Sequence, residues 1–308
     1  MTRPSDAERA GGQRTFAWHA STSTATSSSS AAASKARRRT TTEKSFLKWA
    51  GGKHRIADRI LAALPERRVF VEPFVGSGAV FLATNHETCI LADVNPDLIA
   101  LYRTLKSDPS GFVESVRRLF VPENNSEEAF YALRSEFNAT SDLPRRAALF
   151  VYLNRYGFNG LCRYNAKGAF NVPFGRYAGP YFPEKELRTF AAESARATFA
   201  CADFRDVMAG APTDAVVYCD PPYVPLSATA SFSDYAKDGF GIDEQRALAD
   251  EARKLRARGI PVVISNHDTD LTRELYAGAH ITSFDVHRAI SAKGATRGKV
   301  RELVAVFA

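Results

Sequence analysis

Three short apolar segments constrain the fold of this chain more than any other feature, because each ends in a glycine turn or an acid. The segments are 68–75, 89–92 and 215–219, and they are followed by Gly76, Asp93 and Asp220 respectively. Helical patterns lie between them. A further helix, expected to be capped by Asp243, follows the third segment, and further strands are expected at 261–265 and 303–307. Since alternating strands and helices are typical of a parallel sheet with helices on both faces, we predict the α/β class with a mostly parallel, doubly wound sheet.

The start and the middle of the chain differ in composition from the predicted sheet. Residues 1–44 are rich in Ser, Thr, Ala and Arg and bury too little apolar surface to offset ordering entropy, so we predict a disordered tail. The tail superficially resembles an organelle transit peptide, and an extension without function is the alternative. Residues 97–183 are helical and then irregular from 156, and we predict that they form an insertion into a sheet domain made of 45–96 and 184–308.

Composition excludes several classes of protein. The 308 residues are 45% hydrophobic and 24% charged, which excludes collagen-like and wholly disordered chains. No uninterrupted apolar run approaches the ~20 residues of a membrane span, so we expect a soluble protein, and the scattered cysteines suit a cytosol. The four cysteines form no C-x-x-C pair, which suits reduced thiols better than a disulfide framework or a zinc site, and no metal site is predicted.

Positive charge is concentrated in particular stretches. The net charge is +7, but residues 1–44 hold eight Lys/Arg and three Asp/Glu, so the rest of the chain carries only +2. Residues 143–183 hold six Lys/Arg, no Asp or Glu, ten aromatic residues and several asparagines. This mixture suits phosphates, base edges and unstacked bases, and it predicts a nucleic-acid surface; a solvated basic face over an aromatic core is the alternative. The acid-free stretch 287–301 either contacts backbone phosphate or forms a charged loop.

The first predicted strand and its glycine turn (70–81, FVEPFVGSGAVF) indicate a cofactor site. A strand, a Gly-x-Gly turn and a helix place backbone N–H groups at the carboxyl edge of a sheet, where nucleotide-like ligands bind. The segment lacks the Gly-Lys-Ser/Thr of a P-loop and the third glycine of the dinucleotide fingerprint. Asp93, at the end of the next strand, is placed to accept hydrogen bonds from ribose hydroxyls. The alternatives are a tight structural turn and, for Asp93, a helix cap.

The run Asp220-Pro221-Pro222-Tyr223 follows the third strand and suits transfer to a planar exocyclic amine. Such an amine is a poor nucleophile because its lone pair is delocalised into the ring. The Asp220 carboxylate and the Pro221 carbonyl can accept its N–H protons, which favours a pyramidal nitrogen whose lone pair points at an electrophile. Tyr223 offers a flat face to a base, and the prolines fix the backbone. A proline-rich turn is the alternative.

The segment 46–53 (FLKWAGGK) adds a third group of candidates. Trp49 can pack against an adenine-like ring or against the core. Lys53 can meet a carboxylate, and Lys48 can meet a base or a phosphate. Taken alone, the segment fits any N-terminal turn.

Together these motifs resemble the DNA adenine methylase (Dam) family of adenine-N6 methyltransferases, which act on GATC. The resemblance is carried by FLKWAGGK (46–53), VEPFVGSG (71–78), ILADVNPDL (90–98), YLNRYGFNGLCRYN (152–165), FNVPFGRY (170–177), VVYCDPPYVPLSATA (216–230) and ISNHDT (264–269). It implies a class I Rossmann-like methyltransferase sheet with an inserted helical, hairpin-bearing DNA-recognition domain. It also implies S-adenosylmethionine as donor, double-stranded DNA as substrate, a bacterial or phage enzyme, and a monomer without an obligate protein partner.

The resemblance implies roles for single residues. The target adenine would flip out of the duplex and stack on Tyr223 for direct in-line transfer, with a catalytic set of Asp220, Pro221, Pro222 and Tyr223. The implied cofactor-binding set is Trp49, Lys53, Glu72, Pro73, Phe74, Gly76, Gly78, Asp93 and Asp220. The implied DNA-binding set is Lys48, Phe158, Asn159, Leu161, Arg163, Pro173, Arg176 and Tyr177.

Within the DNA-binding set, the resemblance assigns Lys48 to the first guanine and Arg163 to a guanine read by the hairpin. It assigns Leu161 and Pro173 to a thymine methyl group, and Asn159 to the orphaned partner base. Phe158 departs from the family pattern, which has a tyrosine wedge there; phenylalanine keeps the stacking face and loses the hydroxyl.

Competing functions are methylation of cytosine N4, of an RNA base or of a glutamine side chain, and a catalytically silent DNA-binding regulator. Asp220 argues against the cytosine and glutamine enzymes, which more often carry Ser and Asn there. Intact Asp220, Tyr223 and Asp93 argue against a silent regulator. The sequence leaves open whether the enzyme serves replication and mismatch repair, restriction-modification or a phage.

Overall fold

A seven-stranded sheet is the centre of the computed structural model, which describes residues 44–224, 240–287 and 299–308. The strands are β1 (Val69–Glu72), β2 (Thr88–Asp93), β3 (Ala197–Cys201), β4 (Ala215–Cys219), β5 (Val262–His267), β6 (His280–His287) and β7 (Lys299–Phe307). Their order across the sheet is β3-β2-β1-β4-β5-β7-β6. Strands β1 to β5 pair in parallel, whereas β7 runs antiparallel to both β5 and β6. The predicted α/β class with a mostly parallel sheet is confirmed.

The chain changes direction across the sheet between β1 and β4. From β1 it proceeds through β2 to β3 on one side, and from β4 to β5 on the other. At such a switch point the connections diverge and leave a crevice at the carboxyl ends of the strands. Glu72 ends β1, Asp93 ends β2 and Asp220 directly follows β4, so the fold brings three acids to this edge.

Helices cover both faces of the sheet. They are α1 (Ala57–Ala63), α2 (Ala79–Ala83), α3 (Pro96–Ser107), α4 (Pro109–Arg117), α5 (Glu127–Ala139), α6 (Leu143–Tyr156), α7 (Glu184–Glu193), α8 (Phe204–Ala209), α9 (Ile242–Ala257) and α10 (Asp270–Leu275). The N-cap of α9 is Gly241, whose N–H donates to Glu244 Oε2 at 2.9 Å. The expectation that Asp243 caps this helix is therefore wrong, because Asp243 lies inside its first turn.

Two hydrophobic clusters form the core, one on each face of the sheet. Alternation along β1 directs Phe70 into the first cluster and Val69 and Val71 into the second. Apolar side chains of α8 and α9 close the second cluster, together with Tyr276, which directly follows α10. The first continues from the sheet into the helical middle of the chain, where Phe130 of α5 and Tyr152 of α6 are fully buried. One continuous interior therefore joins α4–α6 to a face of the sheet.

The segment after α6 is irregular, as predicted for residues 156–183. Two isolated antiparallel bridges, Gly157 with Phe174 and Tyr164 with Phe170, fold it back on itself. We call residues 157–178 the recognition hairpin, after the role that the family resemblance implies for them. Tyr164 of this hairpin donates a hydrogen bond to Asp97 Oδ2 at 2.6 Å, which joins it to α3.

Several expectations concern residues outside the described ranges. Residues 1–43 of the predicted tail and 288–298 of the acid-free stretch lie there. The end of that stretch, with Arg301, forms part of β7 instead of a loop. Among the residues that the structure describes, no helix combines the length and the apolar character that a membrane span requires.

Candidate functional site

Three carboxyl groups gather at the switch point of the sheet. Glu72 is 2% exposed, and burial, reinforced by the nearby charge of Asp220 and then of Asp93, raises its pKa well above the ordinary value. No described residue gives its buried Oε2 atom a hydrogen-bond partner. Burial likewise raises the pKa of Asp93. An edge with this much acidic character suits a ligand that brings positive charge and polar hydrogens.

The glycine turn is fastened to the end of β2 by Asp93. Gly76 N–H donates to Asp93 Oδ2 at 3.1 Å, and Asn95 N–H donates to Oδ1 at 3.0 Å. The cap of α3 is Asn95, whose side chain accepts from Asp97 N and Leu98 N. The alternative interpretation of Asp93 as the cap of this helix therefore does not describe its contacts.

Both predicted glycines occupy left-handed backbone conformations, with φ of 44° at Gly76 and 69° at Gly78. A Cβ atom at Gly76 would lie 2.8 Å from Trp49 Nε1, and one at Gly78 would lie 2.8 Å from a ring carbon of Phe190. At these two positions the turn therefore has no space for a side chain. Pro73 is buried beside it, and the Phe74 ring stacks on Phe204 at 5.4 Å.

Asp220 is bound at one oxygen by two donors. Lys53 Nζ lies 2.9 Å from Oδ1, and the hydroxyl of Ser265 donates to the same Oδ1 at 2.9 Å. The Lys53 side chain is only 8% exposed, and its ammonium also donates to Gly51 O at 2.9 Å. Two positions that the sequence analysis singled out separately, Lys53 and Asp220, therefore form one ion pair.

Tyr223 is held in one orientation from three directions. Its hydroxyl donates to Glu302 Oε2 at 3.2 Å, and the ring meets His267 edge-on with 4.8 Å between centroids. The Lys53 ammonium lies 4.3 Å from the ring centroid. Burial raises the pKa of the Tyr223 hydroxyl well above its usual range, so the phenol remains a hydrogen-bond donor.

The backbone after Asp220 is supported by side chains that the sequence analysis did not single out. Gln245 Nε2 donates to Pro222 O at 2.7 Å. Val224 N–H donates to Asn266 Oδ1 at 3.1 Å, and His267 Nδ1–H donates to Val224 O at 2.7 Å. Since Gln245 is on α9 and the other two are on β5, two elements fix the course of this loop.

A second group of predicted residues gathers around Lys48. The Lys48 ammonium donates to Arg155 O at 3.0 Å and lies 3.9 Å from the centroid of the Tyr177 ring. Asn154 fixes the Lys48 backbone, accepting from its N–H and donating to its carbonyl, each at 2.8 Å. Burial, and then the charge of Arg155, lowers the pKa of Lys48. Asn159 N–H donates to the Tyr177 hydroxyl at 2.9 Å, which brings a third predicted residue into this group.

The remaining predicted DNA-binding residues lie along the recognition hairpin, apart from the acidic edge. Phe158 is 48% exposed, and its N–H donates to Pro173 O at 2.9 Å. Arg163 is exposed and its guanidinium is held by Asn171, with Nε to Oδ1 at 2.8 Å and Nη2 to the carbonyl at 3.1 Å. Leu161 is partly buried against the first core cluster, and Arg176 forms an exposed ion pair with Glu127 at 3.2 Å.

Comparison with known proteins identifies the family. A family model described as D12 class N6 adenine-specific DNA methyltransferase matches residues 49–290. A DNA adenine methylase of Vibrio cholerae serotype O1 is 54% identical over 266 residues, which cover 86% of this chain and 96% of that protein. A DNA adenine methylase of Escherichia coli strain K12 is 54% identical over 264 residues, covering 86% and 95%.

Among solved structures, precorrin 8w decarboxylase from Methanobacterium thermoautotrophicum aligns with a TM-score of 0.33 and 11% identity, over 82% of this chain and 88% of that one. The assignment rests on the family model and the sequence relatives. This chain belongs to the D12 class of N6 adenine-specific DNA methyltransferases.

Proposed function

We propose that this chain transfers a methyl group from S-adenosylmethionine to N6 of adenine within GATC sites of double-stranded DNA. The observation that carries the proposal is the position of Asp220, Pro221 and Tyr223 at the sheet edge, beside the glycine turn and its acids. The relatives named DNA adenine methylase support the same reaction.

The acidic edge fits S-adenosylmethionine, which carries a sulfonium and an ammonium group. Glu72 has a buried oxygen without a partner among the described residues, and Asp93 lies at the end of the neighbouring strand. We assign Asp93 to the ribose hydroxyls, Lys53 to the donor's carboxylate and Trp49 to its adenine ring. Pro73, Phe74 and the backbone of Gly76 and Gly78 form the adjoining wall. When bound, the donor supplies a methyl group on a positively charged sulfur that a nucleophile can displace.

On the acceptor side, Asp220 and the carbonyl of Pro221 accept the two protons of the adenine amino group. This interaction directs the nitrogen lone pair toward the methyl group and stabilises the positive charge that develops on nitrogen. The ring of Tyr223 is partly exposed and fixed by Glu302 and His267, which makes it a preorganised stacking surface. No covalent enzyme–base intermediate is needed, and Cys219, fully buried in β4, is a bystander.

The position of the acceptors at a recessed edge requires that the adenine leave the duplex. Base flipping costs a few kcal/mol, which stacking and hydrogen bonds in the pocket must offset. The exposed ring of Phe158 suits insertion into the space that the flipped base leaves, by stacking alone. We assign Asn159, next to it, to the unpaired thymine.

Sequence reading is assigned to the recognition hairpin and Lys48. Asn171 holds two N–H groups of Arg163 and thereby fixes the plane of the guanidinium, whose outer edge is left to donate to guanine O6 and N7. Lys48 addresses the other guanine, and Leu161 and Pro173 contact a thymine methyl group. Arg176, exposed at the rim, contacts backbone phosphate, and Tyr177 supports Lys48. We assign the 97–183 segment to target recognition and propose a monomeric, cytoplasmic enzyme.

The test is transfer of a tritiated methyl group from S-adenosylmethionine to three duplexes: one with a single GATC site, the same duplex with both adenines N6-methylated, and one with the site permuted to GTAC. We expect label only in the first, and nucleoside analysis by mass spectrometry should identify N6-methyladenine. Label in cytosine, or equal transfer to the permuted duplex, would contradict the proposal.

A further inference from the structure

The two oxygens of the Asp220 carboxylate have different surroundings. Oδ1 receives the Lys53 ammonium and the Ser265 hydroxyl, both at 2.9 Å. Among the described residues, none donates a hydrogen bond to Oδ2, and none donates to the carbonyl of Pro221. One carboxylate oxygen is therefore occupied, while the other oxygen and the neighbouring carbonyl are both available as acceptors.

Ser265 reaches Asp220 because of the strand register. The last paired residues of β4 and β5 are Cys219 and Ile264, so Asp220 and Ser265 follow opposite one another. Side chains alternate along a strand, which directs Tyr218 and Ser265 to the same face of the sheet. Both are fully buried, so neither is in reach of the base or of solvent.

The donors and acceptors among Tyr218, Ser265 and Asp220 follow from the single proton that each hydroxyl carries. The hydroxyls of Tyr218 and Ser265 lie 2.9 Å apart, and Ser265 Oγ lies 2.9 Å from Asp220 Oδ1. A carboxylate only accepts, so Ser265 donates its single proton to Asp220 and must accept from Tyr218. Burial and the charge of Asp220 raise the pKa of Tyr218 well above its usual range, which keeps the phenol protonated as the first donor.

We propose that Ser265, oriented by Tyr218, is a positioning residue that fixes the Asp220 carboxylate so that Oδ2 is reserved for an amino proton of the target adenine. The inference rests on the proposed function and deepens it, since it names which oxygen of Asp220 acts and what aims it. Ser265 does not touch the substrate; it prevents rotation of the carboxylate, so that the acceptor geometry exists before the base arrives.

Lys53 cannot supply this constraint alone. Its ammonium ends a flexible side chain, and under the proposed function it also serves the donor's carboxylate. Ser265 by contrast is on a central strand, is 0% exposed, and its hydroxyl lies 2.9 Å from the hydroxyl of Tyr218. The serine therefore holds the Asp220 rotamer whether or not Lys53 is engaged elsewhere.

The test compares Ser265→Ala, Ser265→Thr and Tyr218→Phe with Ser194→Ala. Ser194 is a matched control because it is equally buried and its hydroxyl makes one hydrogen bond, to Phe190 O at 2.7 Å, outside the site. The readouts are the single-turnover rate constant for methyl transfer to a GATC duplex, the KM values for DNA and donor, and the melting temperature.

For Ser265→Ala we expect a 10- to 100-fold lower rate constant, the range of a lost hydrogen bond to a charged group, with KM values within about twofold. Ser265→Thr keeps the hydroxyl and should recover most of the rate, and Tyr218→Phe should give a smaller loss than Ser265→Ala. Ser194→Ala should transfer at the wild-type rate. Tyr218→Phe leaves the serine side chain in place and thus tests the chain of donors even if a Ser265 variant does not fold.

A duplex with 2-aminopurine at the target position separates the two proposals, because this base lacks the 6-amino group and reports flipping by fluorescence. Wild type and Ser265→Ala should give the same fluorescence increase. If wild type neither flips this base nor methylates GATC, the proposed function is wrong. The role of Ser265 is overturned by a different result. In that result, wild type flips this base and methylates GATC, and the folded Ser265→Ala and Tyr218→Phe enzymes either keep the wild-type rate constant or differ from wild type only in a higher KM.

Discussion

The acidic edge of the sheet and the recognition hairpin hold their candidate residues in opposite ways. At the edge, Glu72 and Asp220 lie at the ends of buried strands; Ser265 of β5 donates to Asp220, and Gln245 of α9 donates to the carbonyl of Pro222. In the hairpin, Phe158 and Arg163 are exposed and rest on local hydrogen bonds within the same segment, such as those of Asn171. The arrangement matches the two proposed tasks, because transfer needs fixed geometry whereas reading DNA needs exposed, adjustable contacts.

The largest expected effect is at the edge. Asp220→Ala should lower methyl transfer by about 10³-fold, because it removes the acceptor aimed at the amino group, and the loss of such a preorganised group costs about 10²–10³-fold. DNA binding, measured by fluorescence anisotropy, should change by no more than a few-fold. Asp214→Ala is the matched control, since Asp214 precedes the other end of β4 and pairs with exposed Arg68. If Asp220→Ala retained methyl transfer, the acidic edge would not be the site of transfer.

Two glycine substitutions compare the regions directly. Gly76 and Gly168 both have positive φ, 44° and 74°, but a Cβ at Gly76 would lie 2.8 Å from Trp49 while one at Gly168 meets nothing within 4 Å. Gly168→Ala should cost only the backbone term of about 1–2 kcal/mol in unfolding free energy. Gly76→Ala should cost more and weaken donor binding at least about tenfold, measured by calorimetry. If the two variants lost the same unfolding free energy and bound the donor equally well, the glycine turn would not form a wall of the donor site.

A hairpin substitution should change specificity more than rate. Arg163→Ala should reduce discrimination at one guanine by about 1–3 kcal/mol, as expected for a lost bidentate contact, while transfer to GATC remains measurable. The measurement is the ratio of kcat/KM on GATC to that on duplexes with single base changes. Arg246→Ala, at an exposed ion pair on α9, should leave the ratio unchanged. An unchanged ratio for Arg163→Ala would refute its assignment.

The smallest effect concerns stability and pH. Because burial and Asp220 raise the pKa of Glu72, the folded state holds this proton more tightly than the unfolded chain. Between the unfolded value, about 4.3, and the raised folded-state pKa, wild-type stability should fall by up to about 1.4 kcal/mol per pH unit from this group. Below that window the contribution is fully present, and above it the contribution is lost. Glu72→Gln does not titrate, so its stability relative to wild type should rise with pH in urea denaturation of the donor-free enzyme. A difference independent of pH would contradict this.

Sequence reasoning located the interior of the sheet and missed its margins. Strands β1, β2, β4, β5 and β7 were predicted, whereas β3 and β6, the two edge strands, were not. An edge strand has one neighbour and one row of free backbone groups, so it needs less continuous apolar sequence than a central one. β3 has an interrupted burial pattern, and β6 includes polar residues such as Ser283 and Asp285.

The same distinction applies to the site. Asp220 and Asp93 could be picked out because each directly follows a recognisable strand. Ser265 lies in a motif that carries the family resemblance (264–269), but neither its role nor that of Gln245 could be assigned from sequence. Their partners are 45 and 23 positions away, and no local pattern indicates a contact across strands or between a helix and a loop. Which residues support the reacting groups is a property of the folded register, which only the structure supplies.

The continuous interior that joins α4–α6 to the sheet limits how relatives of this enzyme can be recombined. Within the described part of the chain, the rings of Phe130 and Tyr152 belong to the same cluster as Phe70 of β1. A chimera cut at the base of the helical middle would therefore sever packed side chains and expose both halves. Under the proposed function, target preference is better exchanged by grafting the solvent-facing positions of the recognition hairpin, where a transplanted side chain displaces water instead of a neighbour.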